Sequence, residues 1–386
     1  MFEPKLIETF QLRKTPFYFY DVGLLRKTLD SLKLAAEKRG YQMHYAIKAN
    51  SNPEILRMIS SYGFGADCVS GNEIKAALDN GFPASKIAFA GVGKTDEEIN
   101  IALESGIFSI NCESWPELEV INHLSLQKGL QSRVALRLNP NLDPHTHHYI
   151  TTGLEENKFG ISLWELDEIL EKLKGLKGLR VIGLHFHLGS QITDLSVFKT
   201  LCIKVNEIQR KLERYHGWLG HLNLGGGLGI NYHDPDQEPV PDFEKYFSII
   251  SEYLEPLPGQ IVHFEPGRAI VAQCGTLISK VLYVKKGINT NFAILDAGMT
   301  ELLRPALYQA YHRIECLTPA LPGTYRNYDV VGPICESSDC FGKSIELPEI
   351  RRGDLIAIRS AGAYGEVMSS NYNLREKVKA YYSERV

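Results

Sequence analysis

The sequence predicts an α/β fold, in which a (β/α)8 barrel of the TIM type is followed by a C-terminal antiparallel β-barrel or β-sandwich domain. The barrel is predicted because short apolar strands alternate with amphipathic helices from Met43 to about Arg268. Eight such units over roughly 225 residues match the size of this fold. The β domain is predicted because strands joined by Gly and Pro turns dominate after Gly267. A doubly wound open sheet is the alternative, and it would not need the eighth strand.

The predicted barrel strands share a short apolar run that is bounded by turn residues. They are Met43–Lys48, Ala66–Val69, Ile87–Ala90, Ile107–Asn111, Arg133–Leu138, Leu179–His187, His221–Leu224 and Ile261–Phe264. The segments between them carry apolar residues at helical spacing. Examples are Pro53–Ser61, Glu73–Asn80, Asp96–Glu104, Leu163–Leu173, Val197–Tyr215 and Asp242–Leu254.

Beyond the barrel, the β domain is predicted from strand-rich segments with few helices. The strand-rich segments are Ala269–Val284, Asn291–Asp296, Tyr328–Gly332 and Asp354–Ile358. We expect helices here only near Ala306 and in the tail that begins at Asn373. Thr15–Tyr20 is also predicted to be a strand, and we expect it to complete this domain. The predicted domains are therefore 22–268 for the barrel, and 1–21 together with 269–386 for the β domain.

Composition and charge exclude several classes of function. Of the 386 residues, 44% are hydrophobic and 23% are charged, which is ordinary for a globular protein. A net charge of −4 does not indicate binding to nucleic acid or to an anionic membrane, both of which attract positively charged proteins. The N-terminus does not have the layout of a signal peptide, and no apolar run is long enough to span a membrane. The seven cysteines are scattered without a CxxC pair, so we expect free thiols and a cytoplasmic protein.

Lys48 is the first candidate functional residue, because it interrupts a buried strand just before a turn and a helix. In such a barrel, chemistry takes place where strands end and βα loops begin. A partly desolvated lysine amine at that position can bond covalently to the aldehyde of a cofactor or to a carbonyl substrate. The alternative is a lysine that forms a salt bridge or extends its ammonium to water.

Other strand ends carry residues that could hold a phosphate. Three consecutive glycines, which include Gly226 and Gly227, follow the seventh predicted strand, where such barrels commonly bind phosphate. Ser190 and the Gly267–Arg268 turn add a hydroxyl and a guanidinium. On its own, the glycine run is equally consistent with a tight turn.

Two histidines and two carboxylates complete the set at the strand ends. His185 and His187 lie two residues apart, so both face the same side of their strand. They could be a metal pair with Asp67 and Glu265. Alternatively, His187 lies flat against an aromatic cofactor and His185 is a satisfied core residue. Glu265 could keep a pyridine nitrogen protonated, so that lysine, phosphate cradle, aromatic ring and carboxylate together match pyridoxal 5'-phosphate. We therefore expect no metal.

These motifs resemble those of the barrel-type (fold type III) pyridoxal-phosphate decarboxylases. The similar stretches are YAIKAN at 45–50, HFHLGSQ at 185–191, NLGGGLGI at 223–230 and EPGRAIV at 265–271. The similarity continues in DAG at 296–298, RPALY at 304–308, GPICESSD at 332–339 and GAY at 362–364. It extends from about Thr15 to Asn373, nearly the whole chain.

The resemblance implies a role for each matching residue. Lys48 would bond to the cofactor, His187 would stack on its ring and Glu265 would pair with its nitrogen. The remaining cofactor contacts would come from Asp67, Ser190, Gly226, Gly227, Gly267, Arg268 and Tyr364. Cys335 would donate a proton in the active site of a partner subunit, so the resemblance also implies a homodimer with shared active sites. Substrate contacts would come from Arg268, Arg304, Tyr308, Glu336 and Tyr364.

The charges of the implied substrate site favour one substrate. Ornithine or lysine would present only a distal ammonium, whereas meso-diaminopimelate presents a distal ammonium and a distal carboxylate. Glu336 suits the ammonium and Arg304 suits the carboxylate, in a bidentate grip. We therefore expect decarboxylation of meso-2,6-diaminopimelate to L-lysine and carbon dioxide. The alternatives are a related decarboxylase acting on ornithine, lysine, arginine or carboxynorspermidine, a relative that binds the cofactor without catalysis, and a metal-dependent barrel hydrolase.

Overall fold

The computed structural model describes residues 2–142, 157–212, 219–318 and 324–385. Its strands, in chain order, are β1 (Phe17–Tyr20), β2 (Gln42–Ala46), β3 (Gly65–Cys68), β4 (Ile87–Phe89), β5 (Ser109–Cys112), β6 (Ser132–Asn139), β7 (Ile161–Ser162), β8 (Leu179–His185), β9 (His221–Asn223), β10 (Ile261–Phe264), β11 (Gly275–Lys286), β12 (Asn291–Leu295), β13 (Ile314–Cys316), β14 (Tyr325–Val331), β15 (Cys340–Pro348), β16 (Leu355–Ile358) and β17 (Lys379–Tyr382). The last residues of the predicted helix Val197–Tyr215 lie outside the described residues.

The helices are α1 (Pro4–Gln11), α2 (Val22–Glu37), α3 (Pro53–Ser61), α4 (Gly71–Asp79), α5 (Asp96–Ser105), α6 (Trp115–Gln127), α7 (Leu166–Leu173), α8 (Ser196–Lys211), α9 (Phe243–Tyr253), α10 (Arg268–Val271) and α11 (Arg304–Tyr308). Among the described residues, no helix combines the length and apolar character needed to cross a bilayer.

The chain forms two compact units. The barrel unit contains Leu29–Gly229 and Asp242–Gly267, and the β unit contains Met1–Thr28, Ile230–Pro241 and Arg268–Val386. The segment Ile230–Pro241 belongs to the β unit, although it lies inside the predicted barrel range. The division into domains of 22–268 and of 1–21 with 269–386 stays a prediction.

The barrel unit has the predicted fold. Within the described residues, eight parallel strands pair in the order β2-β3-β4-β5-β6-β8-β9-β10, and β10 returns to β2 to close the barrel. Several helices begin after a short polar residue, because its side chain accepts a backbone N–H that the first helical turn cannot satisfy. These capping residues are Asn52, Ser70, Thr95, Ser114 and Asp242.

The strand that was predicted to end at Lys48 ends two residues earlier. β2 ends at Ala46, and Ile47–Ala49 forms one turn of 3-10 helix. The ladder ends there because Pro266, which accepts the N–H of Ala46, has no N–H to donate in return, and Asn50 then donates its N–H to Ile47 within the turn. Lys48 therefore lies on a turn just beyond the strand.

The β unit contains a sheet in the order β13-β16-β11-β12-β14-β15, and β1 joins it through β11. Most of its pairings are antiparallel, as predicted, but β12 pairs with β14 and β1 pairs with β17 in parallel. The prediction of a helical C-terminal tail was wrong, since Lys379–Tyr382 forms β17 against β1. The apolar core under β1 contains Phe10, Phe17, Phe19 and Ile278.

The interior of the barrel contains a hydrogen-bonded chain of histidines. His44 Nε2 lies 2.9 Å from His263 Nδ1, and His263 Nε2 lies 3.0 Å from His221 Nδ1. His44 Nδ1 lies 3.0 Å from the Lys86 carbonyl oxygen, which can only accept. One assignment satisfies the whole chain, in which each histidine is neutral and carries its proton on Nδ1. Burial lowers the pKa of all three, that of His263 to about 2.

Candidate active site

Lys48 and Asp67 form an ion pair at the strand ends of the barrel. Lys48 Nζ lies 3.1 Å from Asp67 Oδ2, and the Lys48 side chain is 35% exposed whereas that of Asp67 is fully buried. Burial raises the pKa of Asp67 to about 6, and the charge of Glu265 adds to this, while Lys48 opposes both. Asp67 Oδ1 is buried without a hydrogen-bond partner among the described residues. The Lys48 amine is therefore accessible to a ligand while it is bound to a buried carboxylate.

Glu265 is held by hydrogen bonds at both of its carboxylate oxygens. Oε2 lies 3.0 Å from His185 Nε2, and Oε1 accepts a hydrogen bond of 2.7 Å from Asn223 Nδ2. All three side chains are buried. Burial alone would raise the pKa of Glu265, but the contact with His185 and the charge of Lys48 hold it well below its ordinary value. Glu265 is therefore an oriented, ionised carboxylate inside the barrel.

This arrangement corrects the prediction that His185 is a satisfied core residue. His185 contacts Glu265, and its Nδ1 is buried without a partner among the described residues. The sequence predicted His185 as a core residue but could not show which residue it contacts, since Glu265 follows another strand, 80 positions away. Asn223 begins the NLGGGLGI stretch, and no spacing in the sequence points to its bond with Glu265.

His187 lies half-buried beyond His185 and is oriented by one backbone bond. Gly226 donates its N–H to His187 Nδ1 at 3.2 Å, which leaves the ring proton on Nε2 if the ring is neutral. Burial and the positive charge of Lys48 lower the pKa of His187 well below its ordinary value. His187 is therefore a neutral ring in a fixed orientation, which is suited to stacking on another aromatic ring.

The glycines after β9 are required by close backbone packing. Gly225 and Gly227 have positive φ values of 70° and 107°, which other residues rarely adopt. A Cβ atom on Gly226 would overlap the carbonyl oxygen of Glu265. The Gly226 amide is already used by His187, so this glycine does not offer its N–H to a phosphate. A Cβ atom on Gly227 would crowd the Gly189 carbonyl oxygen and one on Gly267 would crowd the Ala49 side chain, so both turns present bare backbone, as a phosphate cradle requires.

These barrel residues fit pyridoxal phosphate. The fit rests on an accessible amine at Lys48, an ionised carboxylate at Glu265, a neutral ring at His187 and a glycine turn without side chains. Among the described residues, no group of three or more His, Cys, Asp or Glu side chains could hold a metal ion.

In the β unit, two of the predicted residues contact a residue that the sequence did not single out, and a third contacts one of those two. The phenol oxygen of Tyr232 accepts hydrogen bonds from Arg268 Nη1 at 2.6 Å and from Arg304 Nη1 at 2.9 Å. The Arg268 guanidinium also lies 4.8 Å from the centre of the Tyr364 ring. Tyr364 has a positive φ of 56°, which is uncommon for a residue with a side chain. Tyr308 ends the short helix α11 that begins at Arg304.

Cys335 and Glu336 lie apart from that cluster, on an exposed turn of the β unit. Cys335 donates its backbone N–H to Asn373 Oδ1 at 3.3 Å, and Glu336 accepts a hydrogen bond of 2.7 Å from the Tyr372 hydroxyl. The turn is held from beneath by buried Asp339, which accepts N–H groups from Met299 and Ile334. Asp339 ends the GPICESSD stretch of the sequence, and its contacts support the backbone of the turn.

Comparisons with known proteins agree on the family. Residues 24–272 match the family model described as pyridoxal-dependent decarboxylase, pyridoxal binding domain. Diaminopimelate decarboxylase of Bacteroides thetaiotaomicron is 56% identical over 381 residues, which cover 98% of each chain. The enzyme of the same name from Helicobacter pylori J99 is 43% identical and covers 96% of this chain and 91% of its own.

Solved structures give the same result for the fold. A crystal structure of Helicobacter pylori diaminopimelate decarboxylase complexed with L-lysine has a TM-score of 0.91 and 42% identity, and covers 98% of this chain and 93% of its own. Lysine/ornithine decarboxylase of Vibrio vulnificus, complexed with putrescine, has a TM-score of 0.85, and at 23% identity it shows the fold alone. The predicted fold class and the predicted family resemblance are thus confirmed. This chain belongs to the pyridoxal-dependent decarboxylase family, among the diaminopimelate decarboxylases.

Proposed function

We propose that this protein decarboxylates meso-2,6-diaminopimelate to L-lysine and carbon dioxide, with pyridoxal 5'-phosphate as its cofactor. The observation that carries the proposal is identity of 56% over nearly the whole length of a diaminopimelate decarboxylase. The buried contacts of Glu265 and Lys48 support it, because they supply the carboxylate and the amine that this cofactor needs.

The barrel residues have distinct tasks in this proposal. When bound, pyridoxal phosphate supplies an electron sink for the charge that remains on the substrate carbon after carbon dioxide leaves. Lys48 would hold the aldehyde carbon of the cofactor, with Asp67 Oδ2 accepting a hydrogen bond from its Nζ. Glu265 would hold a proton on the pyridine nitrogen, since its own pKa lies well below its ordinary value. His187 would stack on the ring, and Ser190, Gly227, Gly267, Arg268 and Tyr364 would surround the phosphate. Gly226, whose N–H is bound to His187, would line the site without donating to the phosphate.

The substrate contacts belong to the β unit. Arg304, with Tyr308 beside it, would bind the distal carboxylate, and Arg268 and Tyr364 would add further contacts. Glu336 would bind the distal ammonium. Cys335 would return a proton from its Sγ to the substrate carbon, and general acids of this kind contribute about a hundredfold or more to a rate.

We further propose a cytoplasmic homodimer in which Cys335 and Glu336 serve the site of the partner protomer. Both residues are exposed, and Leu374 beside them is 92% exposed, so this surface suits a second copy. The test mixes two inactive variants, Lys48→Ala and Cys335→Ser. Mixed dimers would regain one intact site, so activity should return on mixing. Mixtures that stay inactive would contradict shared sites.

The experiment that tests the function is a substrate panel. Carbon dioxide release is measured from diaminopimelate, ornithine, lysine, arginine and carboxynorspermidine with the purified holoenzyme. We expect diaminopimelate to have the highest kcat/KM, because a buried arginine without its carboxylate partner penalises the other substrates. Faster turnover of any other member of the panel would refute the assignment. Lys48→Ala is the control, and it should lose both the activity and the visible absorbance of the bound cofactor.

A further inference from the structure

Tyr232 lies between two buried cations of the β unit. Arg268 and Arg304 both donate to its phenol oxygen, and all three side chains are buried. Two guanidiniums that donate to the same oxygen lie close enough to repel each other. The lone pairs of the phenol oxygen between them offset that repulsion. Burial alone would raise the pKa of Tyr232, but the charges of Arg268 and Arg304 and their hydrogen bonds lower it. The phenol therefore acts as a partial counter-charge for both arginines.

Arg304 is fixed on a second side by His312. The same Nη1 that donates to Tyr232 also lies 2.8 Å from His312 Nε2. His312 Nδ1 lies 2.8 Å from the Arg359 carbonyl oxygen, so it must be the protonated nitrogen and Nε2 must accept. Burial and the charge of Arg304 lower the pKa of His312 to about 3, which keeps the ring neutral.

These two contacts use both hydrogens of Arg304 Nη1. The edge of the guanidinium that Nε and Nη2 form takes no part in them. Its Nε and Nη2 make no hydrogen bond to the described residues. An arginine edge with two parallel N–H groups is the geometry that binds a carboxylate in a bidentate manner. Burial and the nearby charge of Arg268 lower the pKa of Arg304, so an anion at that edge would be favoured.

We propose that Tyr232 is a positioning residue that fixes Arg304 so that its Nε–Nη2 edge binds the carboxylate that the product retains. This inference rests on the proposed function. Diaminopimelate carries an amine and a carboxylate at each end, and its decarboxylation removes one carboxylate and leaves the other in L-lysine. L-lysine therefore still presents the carboxylate that Arg304 would hold, whereas cadaverine has both amines and no carboxylate.

The test compares three constants in the holoenzyme and in Tyr232→Phe, namely KM for diaminopimelate and the inhibition constants of L-lysine and cadaverine. An arginine left with an unsatisfied buried N–H binds its anion about ten- to a hundredfold more weakly. We expect KM and the inhibition constant of L-lysine to rise by that factor. The inhibition constant of cadaverine should stay unchanged. The kcat should fall less than ~3-fold, because the contact that is lost binds the substrate equally well in the ground state and in the transition state.

Two further variants separate positioning from folding. Tyr328→Phe is the matched control, because Tyr328 is also buried in the β unit and its hydroxyl accepts a backbone N–H from Ile350. It should leave all three constants unchanged. Tyr232→His keeps an acceptor nitrogen and should restore part of the affinity for L-lysine.

Every outcome decides for or against the proposal. A parallel change in the constants of L-lysine and cadaverine, or no change in either, would overturn the positioning role. If Tyr232→Phe does not fold, Tyr232→His decides by the same comparison, and failure of both to fold would make Tyr232 a structural residue. A wild-type enzyme that does not decarboxylate diaminopimelate would instead overturn the proposed function.

Discussion

Replacement of His263 by glutamine should change how the stability of the protein depends on pH. His263 is the middle member of the histidine chain, with His44 on one side and His221 on the other. It also lies two residues before Glu265, which directly follows β10. Glutamine retains a donor and an acceptor but cannot titrate, so His263→Gln removes one proton-binding group from the barrel interior.

The magnitude follows from the two pKa values of His263. In the folded protein its pKa lies at about 2, because the ring is buried. In the unfolded chain it titrates near ~6.5, so unfolding takes up a proton between those values. The stability that the neutral ring contributes is complete above pH ~6.5 and is lost as the pH falls, by about 1.4 kcal/mol per pH unit. At pH 5 the loss from His263 alone is thus ~2 kcal/mol.

The comparison must be between variants, because other groups act in the opposite direction. Burial raises the pKa of Asp67 to about 6 and that of Glu73 to about 7. Both carboxyl groups bind protons more readily in the folded state, so they add stability as the pH falls. They are present in wild type and variant alike and cancel in the difference.

The assay is urea unfolding of the holoenzyme between pH 5 and pH 7.5, followed by circular dichroism. The difference in unfolding free energy between wild type and His263→Gln should shrink by ~2 kcal/mol from pH 6.5 to pH 5. His123→Gln is the control, since His123 is exposed on α6, and its curve should parallel that of the wild type. If the unfolding free energy of His263→Gln changes with pH in parallel with that of the wild type, the conclusion that the histidines of the chain are neutral is refuted.

Three further substitutions test the site. His185→Phe removes one hydrogen bond to Glu265 and should weaken binding of pyridoxal phosphate to the apoenzyme about tenfold, as measured by absorbance titration; unchanged affinity would contradict the role of His185. Gly226→Ala should prevent correct folding because its Cβ would overlap the Glu265 carbonyl oxygen, whereas Gly93→Ala, with no atom within 4 Å of the added Cβ, should give soluble protein. Cys335→Ser should lower kcat about a hundredfold or more while the absorbance of the bound cofactor stays the same, and retained kcat would exclude Cys335 as the proton donor.

The sequence predicted the fold because buried parallel strands are apolar runs with clear limits. It could not predict where β2 ends, and thus where Lys48 lies, because that limit depends on Pro266, a residue far along the chain that has no N–H to continue the pairing. The tail Lys379–Tyr382 was assigned to a helical region because its partner, β1, lies more than 350 residues earlier.

The candidate site was predicted in its chemistry but not in its supporting contacts. Residue types at strand ends pointed to Lys48 and Glu265, because their chemistry is visible in the sequence. Tyr232 was not singled out, since it lies in a segment assigned to the barrel whereas its contacts, to Arg268 and Arg304, belong to the β unit. Contacts between segments that are distant in the chain leave no local pattern in the sequence. The supporting residues could therefore be identified only from the structure.

The histidine chain explains two glycines that are unrelated to any binding motif. Barrels of this kind usually fill their interior with branched apolar side chains, whereas this one buries imidazoles beneath Glu265. A Cβ atom on Gly65 would overlap the Lys86 carbonyl oxygen and crowd the His44 ring, and one on Gly183 would overlap the His221 carbonyl oxygen. Glycine at position 65 leaves room for the His44 ring and its bond to the Lys86 carbonyl, and glycine at position 183 leaves room for the backbone of His221. Because those rings are neutral, they fill the interior below Glu265 without adding a charge that would compete for its carboxylate. The carboxylate can then be held by His185 and Asn223 alone among the described residues.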